Sequence, residues 1–408
     1  MGDPIFDQGL TLAVWITLIV KALAVFVIVL VSVLFMVMYE RKQVAFLGNR
    51  PGPNRTGPGG WLQSLADGTK LFMKEAFTPA HADKVVYKLA PYMLLVPTIV
   101  AFSVVPVGGT IHLGHNLNTE LQLADPPWGI LVMLMCSGLG VYGVILAGWA
   151  SGSKYPLLGS VRASAQMVSY ESAVGLTVAT VVLLTGSLHT SAITAAQKPG
   201  YSGFFSFIAK WNILHAGIVP FIVFSIAITA EMTRAPFDLV EAEEEISGGY
   251  NLEYSSISFA LFYLAEYAAL VTNSAFIVTL WLGGPDGPQI DHVSIGPFWF
   301  VLKLLIILYI FVWIRATLPR LRYDQLMDLG WKRLIPIALA WLMIVAAFQV
   351  SRAWGAVAFG GCVLGAILLW RAIEVGKGAA AVEATAEAAR ADAARSSTAK
   401  RRQQESTP

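Results

Sequence analysis

Apolar runs of about 20 residues recur through most of this 408-residue chain, and they constrain its fold more than any other feature. As an α-helix, a run of that length spans the hydrocarbon core of a bilayer, which is roughly 30 Å thick. Only helices and closed barrels satisfy every backbone polar group in lipid, and these runs are far too long for barrel strands. The sequence, 56% hydrophobic, therefore predicts an all-α integral membrane protein.

We predict a bundle of about nine transmembrane helices. They lie near residues 12–38, 89–107, 128–149, 163–185, 212–230, 257–282, 298–318, 334–350 and 356–372. Residues 1–350 form the main membrane domain, and 351–375 add a C-terminal transmembrane helix. Residues 376–408 form an Ala-rich basic tail that is expected to be partly disordered and to contact anionic lipid headgroups.

Lys and Arg residues are distributed unevenly between the two sides of this bundle. With the N-terminus outside, the inner connections contain 22 basic residues and the outer ones contain three. Because basic loops stay on the cytoplasmic side, this predicts an external N-terminus and a cytoplasmic C-terminal tail. The acidic N-terminus lacks the features of a signal peptide, so the first run is expected to remain as a helix.

Several kinds of site are not indicated by the sequence. Cys136 and Cys362 each lie within an apolar run, so we expect reduced structural thiols and no disulfide framework. Residue clusters suited to a metal ion or an iron-sulfur cluster are missing, and nothing points to a nucleic acid partner. The candidate functional residues are instead carboxylates.

The connection between the fifth and sixth predicted spans is crowded with acids. Arg234 is the only nearby cation, and five acids occupy eight consecutive positions, namely Asp238, Glu241, Glu243, Glu244 and Glu245. One interpretation is a short solvated helix over about residues 239–247. The other is the entrance to a proton or cation path, since like charges on one helix face oppose folding by roughly 0.2–0.5 kcal/mol per pair. Acids that continue into the bilayer on both sides favour the path.

Two further glutamates lie deep within predicted spans. Glu171 and Glu266 are each about nine residues from the inner end of their span, which places them roughly 13 Å deep at ~1.5 Å per residue. Each alone could be a neutral acid hydrogen-bonded between helices. Their matching depth, with Glu231 and Glu253 at the inner ends of neighbouring helices, favours a proton relay.

The first inner loop contains an amphipathic segment over residues 61–77. Its apolar residues, such as Trp61 and Phe72, alternate at helical spacing with charged ones, such as Asp67 and Lys70. This pattern predicts a helix that lies in the membrane interface, where it could also serve only as an anchor for the first span. In the third predicted span, Gly138, Gly140 and Gly143 are expected to allow close helix packing. Lys303 and Arg315 lie near span ends, so their side chains are expected to snorkel to the membrane interface. The role of Lys21 stays open.

Six segments closely resemble one family. They are YERK (39–42), RPGPN (50–54), GWLQSLADGTKLFMKE (60–75), APFDLVEAEEEISGGYNLEY (235–254), FALFYLAEY (259–267) and WIRATLPRLRYDQLM (313–327). The family is that of the quinone-site membrane subunit of respiratory complex I, which corresponds to subunit 1 of the mitochondrial enzyme. The resemblance covers about residues 12–350 and is long, ordered and specific.

The resemblance implies a membrane subunit of a proton-pumping NADH:quinone oxidoreductase in the bacterial inner membrane. No catalytic site is complete in this chain alone, because NADH, flavin and iron-sulfur clusters would be bound by partner subunits. The implied partners are quinone, the hydrophilic-arm subunits, small membrane-arm subunits and lipid. The quinone tunnel would be bordered by Arg41, Arg50, Asp67 and Lys70. The proton relay would comprise Glu171, Glu231, Arg234, Asp238, Glu241, Glu243, Glu253 and Glu266.

Two features depart from the family pattern, and two alternatives remain. The ninth span goes beyond the usual eight helices of the family. Glu244 adds an acid to the cluster, so the match of Glu243 to Glu245 with individual acids of the family stays open. The nearest alternative is the related membrane subunit of an energy-converting hydrogenase or dehydrogenase. An independent ion transporter is a second alternative, although it predicts inverted repeats, which the sequence does not show.

Overall fold

The computed structural model describes residues 11–112, 118–198, 210–238, 249–288, 296–368 and 371. Helices make up most of this part of the chain. They are α1 (Leu12–Leu47), α2 (Gln63–Met73), α3 (Lys84–Phe102), α4 (Gly129–Ala150), α5 (Lys154–Thr185), α6 (Thr190–Ala196), α7 (Asn212–His215), α8 (Ile218–Glu231), α9 (Ser256–Trp281), α10 (Gly296–Thr317), α11 (Tyr323–Val350) and α12 (Arg352–Leu368). Two short antiparallel strands, β1 (Thr110–His112) and β2 (Asn118–Glu120), pair in the connection after α3.

Seven of these helices are long and apolar enough to cross a membrane, namely α1, α3, α4, α5, α9, α10 and α11. The prediction of an all-α membrane protein is therefore confirmed at this level. The helices α8 and α12 are apolar but shorter. The count of nine spans stays a prediction.

Helix boundaries differ from the sequence estimate in a consistent way. Helix α1 continues to Leu47, α5 begins at Lys154, and α11 begins at Tyr323. Each helix thus extends by about nine to eleven residues beyond the apolar run that predicted it. Hydropathy marks only the part that suits lipid, whereas backbone hydrogen bonding continues into polar residues.

The predicted fifth span is broken into α7 and α8. Gly217 separates them with φ +94°, a left-handed conformation that favours glycine. The ring of Trp341 packs where a Gly217 side chain would be, since an added Cβ would lie 2.7 Å from Trp341 Cζ2. Trp341 Nε1 also donates a hydrogen bond to the carbonyl of Ala216 at 2.7 Å. A residue 124 positions away therefore stabilises the break.

The core lies where α3, α4, α5, α8 and α9 pack together. Trp281, Phe224 and Phe276 are fully buried there, and Trp281 contacts Phe224 with ring centroids 5.7 Å apart. Gly143 lets α4 approach the backbone of α3, because its Cβ would lie 2.9 Å from the amide nitrogen of Leu94. Small residues are suited to such close approach between membrane helices.

The snorkelling predicted for Lys303 is wrong. Its side chain is buried, and Nζ donates hydrogen bonds to the carbonyls of Leu282, Gly284 and Asp286 at 2.6, 3.0 and 2.5 Å. The loop after α9 folds around this ammonium group, which satisfies the charge inside the protein instead of at the interface. Lys21 donates a hydrogen bond to Thr119 Oγ1 at 2.9 Å.

The chain divides into two compact units, Met1–Leu342 and Met343–Pro408. In the second unit, α12 follows a turn at Ser351, whose carbonyl accepts a hydrogen bond from the amide of Gly355 at 3.0 Å. Large apolar residues on α12 such as Trp354, Val357 and Leu364 are exposed. The division into domains at residues 350 and 375 stays a prediction.

Candidate functional site

A tight turn after α8 brings the first acids of the crowded connection into the protein. Gln166 of α5 spans this turn, because its Nε2 donates to the carbonyls of Ala230 at 2.7 Å and Phe237 at 2.9 Å. Within the turn, the amide of Phe237 donates to the carbonyl of Arg234 at 2.8 Å. The turn therefore directs Glu231, Arg234 and Asp238 inward, and all three are buried.

Arg234 is the centre of a buried charge network. Its Nη1 lies 3.1 Å from Glu40 Oε2, and its Nε lies 2.7 Å from Glu266 Oε1. The guanidinium carbon also lies 4.1 Å from the ring centroid of Tyr267, a cation–π geometry. Arg315 completes the network through an ion pair with the other carboxylate oxygen of Glu40. Two acids and two arginines from α1, α9, α10 and the turn after α8 therefore meet.

Electrostatics favours the charged form of Arg234. Burial alone would lower the pKa of its guanidinium, but the carboxylates of Glu266 and Glu40 outweigh burial and raise it. The four formal charges balance, which is the condition under which buried charges are tolerated. A small cleft of about 10 Å³ lies beside the network. Its lining includes Glu40, Arg234, Arg315, Thr229, Leu270 and Phe311.

Asp238 lies close to this network but has a different cation nearby. Its carboxylate Oδ2 is 3.8 Å from Nη2 of Arg320, which lies in the connection after α10. The amide of Leu321 donates to the carbonyl of Pro236 at 3.0 Å, so the two segments are joined through their backbones as well. The buried turn and the connection after α10 thus form one structure.

Glu231 and Glu171 each lie close to one of two consecutive residues of α4. The hydroxyl of Ser137 donates a hydrogen bond to Glu231, and a Cβ added to the next residue, Gly138, would lie 3.0 Å from Glu171 Oε1. A cavity of about 70 Å³ adjoins Glu231. Polar side chains line part of it, including those of Thr98, Ser137, Thr272 and Asn273.

A separate group of charges joins α1 to α2. Arg41 forms an ion pair with Asp67 at 2.5 Å, and Gln63 Nε2 donates to the other Asp67 oxygen at 3.0 Å. Partial burial raises the pKa of Asp67, but hydrogen bonds from Arg41 and Gln63 and the charge of Lys70 outweigh it, so the pKa is lowered overall. Arg50 is exposed beyond α1, and no contact among the described residues joins its side chain to this group.

Helix α2 contacts α1 and α9 and still exposes apolar side chains. The hydroxyl of Ser256, the first residue of α9, donates to the carbonyls of Leu71 at 3.1 Å and Lys74 at 2.7 Å. Leu65, Phe72 and Met73 are exposed. A helix therefore forms where the amphipathic pattern predicts one, while its place in a membrane interface stays a prediction.

The remaining predicted relay residues lie apart or outside the described residues. Glu253 is half-buried, and its carbonyl accepts a hydrogen bond from the Tyr87 hydroxyl at 2.7 Å. No contact among the described residues joins its side chain to the Arg234 network. Glu241 and Glu243, with the predicted helix 239–247, fall outside the described residues.

Sequence reasoning missed Glu40 and misplaced Arg315. Glu40 is an acid at the end of the first span, but its two arginine partners are 194 and 275 residues away. The snorkelling predicted for Arg315 is wrong, because its side chain pairs with Glu40. Gln166 and Ser137 give no signal as single neutral residues in apolar runs. Among the described residues, no group of three or more His, Cys, Asp or Glu side chains could hold a metal ion.

A comparison with known families decides the assignment. A family profile described as NADH dehydrogenase matches residues 20–346. The chain belongs to the NADH dehydrogenase family. The matched range contains the Arg234 network, the Ser137 contacts and the Arg41–Asp67 pair, whereas α12 lies beyond it.

Curated relatives within the NADH dehydrogenase family are named as the H subunit of NADH-quinone oxidoreductase. The chain is 49% identical over 343 residues to such a protein from Frankia alni and likewise to one from Frankia casuarinae, with 82% of this chain and 73% of each relative covered. It is 45% identical over 350 residues to one from Streptomyces avermitilis, with 83% of this chain and 74% of that relative covered. The wider likeness to the mitochondrial type stays a prediction.

Proposed function

We propose that this chain is the membrane subunit of a proton-translocating NADH:quinone oxidoreductase, where it forms much of the quinone-access tunnel and an acidic relay. The relatives named as H subunits of that enzyme support this assignment over a hydrogenase component or an independent transporter. The observation that supports the relay most directly is the buried series of charges around Arg234 and Glu231. The chain completes an enzyme but has no complete active site of its own.

The group around Arg41 and Asp67 borders the mouth of the quinone tunnel in this proposal. The position of this group supports the proposal. The Arg41–Asp67 ion pair connects α1 to α2, and α2 has exposed apolar residues. Such a helix is suited to the place where a lipid-soluble quinone leaves the bilayer. The charge of Lys70 also lowers the pKa of Asp67, and Arg50 is exposed in the loop after α1. Hydrophilic-arm subunits would close the tunnel and bind NADH, flavin and the iron-sulfur clusters, and small membrane-arm subunits would flank the chain.

The relay responds to a change of charge at the quinone. Reduction adds two electrons to quinone, and the negative charge that they bring stays next to the buried acids until two protons are taken up to give quinol. Coupled carboxylates titrate as a group, so that protonation of one changes the others. The path proposed here runs from Asp238, Glu241, Glu243 and Glu253 through the network of Arg234 and Glu266 to Glu231 and Glu171.

The test is Glu231→Gln in the assembled complex. The amide cannot donate and accept the relayed proton, so we expect quinone-linked NADH oxidation to fall by about tenfold or more. Oxidation of NADH by ferricyanide should be unchanged, because that acceptor takes electrons before the quinone step. Asp324→Asn, at an acid whose side chain is 67% exposed, is the matched control and should keep both rates.

Two results would contradict the relay. An unchanged quinone-linked rate in Glu231→Gln is the first. An equal loss with ferricyanide is the second, because it would mean that the complex is damaged as a whole. Glu241→Gln should behave like Glu231→Gln if the crowded connection belongs to the same path.

The proposal places the chain in the bacterial inner membrane with its N-terminus outside and its tail in the cytoplasm. Lys332 is 72% exposed and lies in the first part of α11. In the predicted topology it belongs to the connection 319–333, which is assigned to the cytoplasm. With Cys362 replaced, a Lys332→Cys chain should react with a membrane-impermeant maleimide in inside-out vesicles and not in intact cells. Labelling in intact cells would show that the chain has the opposite orientation.

A further inference from the structure

Helix α4 presents two consecutive small residues to two carboxyl groups from different helices. Ser137 donates its hydroxyl hydrogen to Glu231, the last residue of α8. A Cβ on Gly138 would lie 3.0 Å from Oε1 of Glu171 on α5, closer than side chains normally approach. Ser137 therefore provides a hydrogen-bond donor for Glu231, and Gly138, which lacks a side chain, leaves space for the carboxyl group of Glu171.

Gly138 differs from the other glycines of α4. An added Cβ on Gly143 would meet the backbone of α3 at Leu94, and one on Gly148 would meet Ser160 of α5. On Gly140 the nearest atom would be an ordinary contact, Leu94 Cδ1 at 3.4 Å. Close helix packing explains Gly143 and Gly148. At Gly138 the missing side chain instead leaves room for a carboxyl group.

The space next to these groups is suited to water. The cavity beside Ser137 and Glu231 has a volume of about 70 Å³ and is partly lined by Thr98, Thr272 and Asn273. The buried hydroxyl of Thr272 has no hydrogen-bond partner among the residues that the structure describes. Buried polar atoms without a protein partner usually bind ordered water when a cavity of sufficient size adjoins them.

We propose that Ser137 is a positioning residue for proton transfer between Glu231 and Glu171, and that Gly138 provides the space in which Glu171 approaches. The inference rests on the proposed function and assigns a role to a neutral residue in it. In the step, the O–H bond of the Glu231 carboxyl breaks and an O–H bond forms on the Glu171 carboxylate, directly or through cavity water. The negative charge moves from Glu171 to Glu231, where the Ser137 hydroxyl stabilises it.

The first test compares Ser137→Ala with Ser137→Thr in the assembled complex. Alanine removes one hydrogen bond to a charged group, so we expect quinone-linked NADH oxidation to fall by about tenfold. The pH profile of that rate should also move, because the carboxylate left on Glu231 loses a donor. Threonine keeps the hydroxyl and should restore most of the rate and the original profile.

The matched control is Ser172→Ala. Ser172 is an exposed serine on α5 whose hydroxyl bonds only to the carbonyl of Val168, one turn earlier in its own helix, among the described contacts. Its loss should change neither the rate nor the pH profile. Ferricyanide-linked oxidation should be unchanged in all three variants, which shows that the complex is intact.

The second test uses the glycine. Gly138→Ala should displace the Glu171 carboxyl and slow quinone-linked oxidation, whereas Gly175→Ala on α5 should not, because nothing lies within 4 Å of the added Cβ there. Both substitutions have the same effect on helix propensity. Different rates would therefore report the contact with Glu171.

A double variant separates this inference from the function on which it rests. If Ser137 acts through Glu231, adding Ser137→Ala to Glu231→Gln should cause no further loss. Additive losses, or a threonine variant as slow as alanine, would mean that Ser137 is only structural and would overturn the inference. A wild-type rate and pH profile in Ser137→Ala would overturn it as well, even where Glu231→Gln is slow. A normal rate in Glu231→Gln would contradict the proposed function itself.

Discussion

At the scale of single residues, the buried charges depend most on Arg234. Replacing it with methionine roughly keeps the volume but leaves Glu40 and Glu266 with one fewer cation in a buried site. Removing one partner of a buried ion pair typically costs about 3–5 kcal/mol. We expect Arg234→Met to lower the thermal unfolding midpoint of the purified complex and the amount of assembled complex in membranes.

Arg322→Ala is the matched control for Arg234→Met. Arg322 also pairs with an acid, Asp324, but the two side chains are 77% and 67% exposed. Exposed pairs contribute about 0–1 kcal/mol, so stability should hardly change. Equal stability of the two variants would show that the Arg234 network does not stabilise the fold.

Asp67 provides a prediction about pH. The pKa of Asp67 is lower in the folded chain than in the unfolded chain, where it is about 4. The pair with Arg41 therefore stabilises the docking of α2 at every pH above about 4. This stabilisation is lost only as the pH falls through the lower pKa of the folded state. Between pH 5 and 8, amide exchange of Gln63–Met73, corrected for intrinsic rates, should therefore be constant. Asp67→Asn should speed it by no more than about fivefold, since the pair is partly exposed.

The comparison variant for α2 is Asp324→Asn, which should leave the exchange of that helix unchanged. Protection of α2 that falls steadily from pH 8 to pH 5 in the wild-type chain would refute the assignment of Asp67 as the ionised partner.

The sequence indicated the acids but not the partners that hold them. Carboxylates in apolar surroundings are conspicuous because burying a charge is costly, so Glu171, Glu231 and Glu266 could be singled out. Glu40 could not be paired with Arg234 and Arg315, since nothing in the sequence shows which residues of distant helices meet. Neutral residues such as Gln166 and Ser137 are even less visible, because a single amide or hydroxyl is common in membrane helices.

At the scale of helices, close contact between α3 and α4 depends on one glycine. Gly143→Ala places a Cβ 2.9 Å from the amide nitrogen of Leu94 and 3.2 Å from the carbonyl oxygen of Ala90. Backbone atoms cannot move aside as a flexible side chain can, so the two helices must separate. Overpacking of this kind costs about 1–3 kcal/mol, and the unfolding midpoint of the complex should fall.

Gly140→Ala tests the same helix pair without the clash. Its Cβ would meet only Leu94 Cδ1, at the ordinary distance of 3.4 Å. We expect a midpoint close to that of the wild-type chain. If both variants are equally stable, the close approach at Gly143 does not limit the packing of α3 on α4.

Helices with long apolar runs were predictable, whereas their interruptions were not. Seven long helices follow from hydropathy, because a run of that composition is stable only in lipid or in a buried core. The break between α7 and α8 depends on Trp341, which packs on Gly217 and bonds to Ala216. The burial of Lys303 similarly depends on three carbonyls of a loop that the sequence cannot position.

At the scale of the whole molecule, the family match and the charge networks described above all lie before α12. The matched range ends at residue 346, within α11, and every charge network described above precedes it. Helix α12 follows with 17 residues, or about 25 Å at ~1.5 Å per residue, and exposes large apolar side chains. Such a helix can contact lipid or an accessory protein without contributing to the relay.

A chain ending at Val350 should therefore assemble into the complex and keep its quinone-linked NADH oxidation within about twofold of the full chain, because no residue proposed for the tunnel or relay is removed. The measurement is the quinone-linked rate divided by the ferricyanide-linked rate in membranes, which corrects for the amount of assembled complex. Reduced assembly with a normal ratio would assign α12 and the tail to attachment of the chain within the complex. A reduced ratio would show that the C-terminal segment takes part in the coupling, and the relay would then have to extend beyond the buried charges around Arg234 and Glu231.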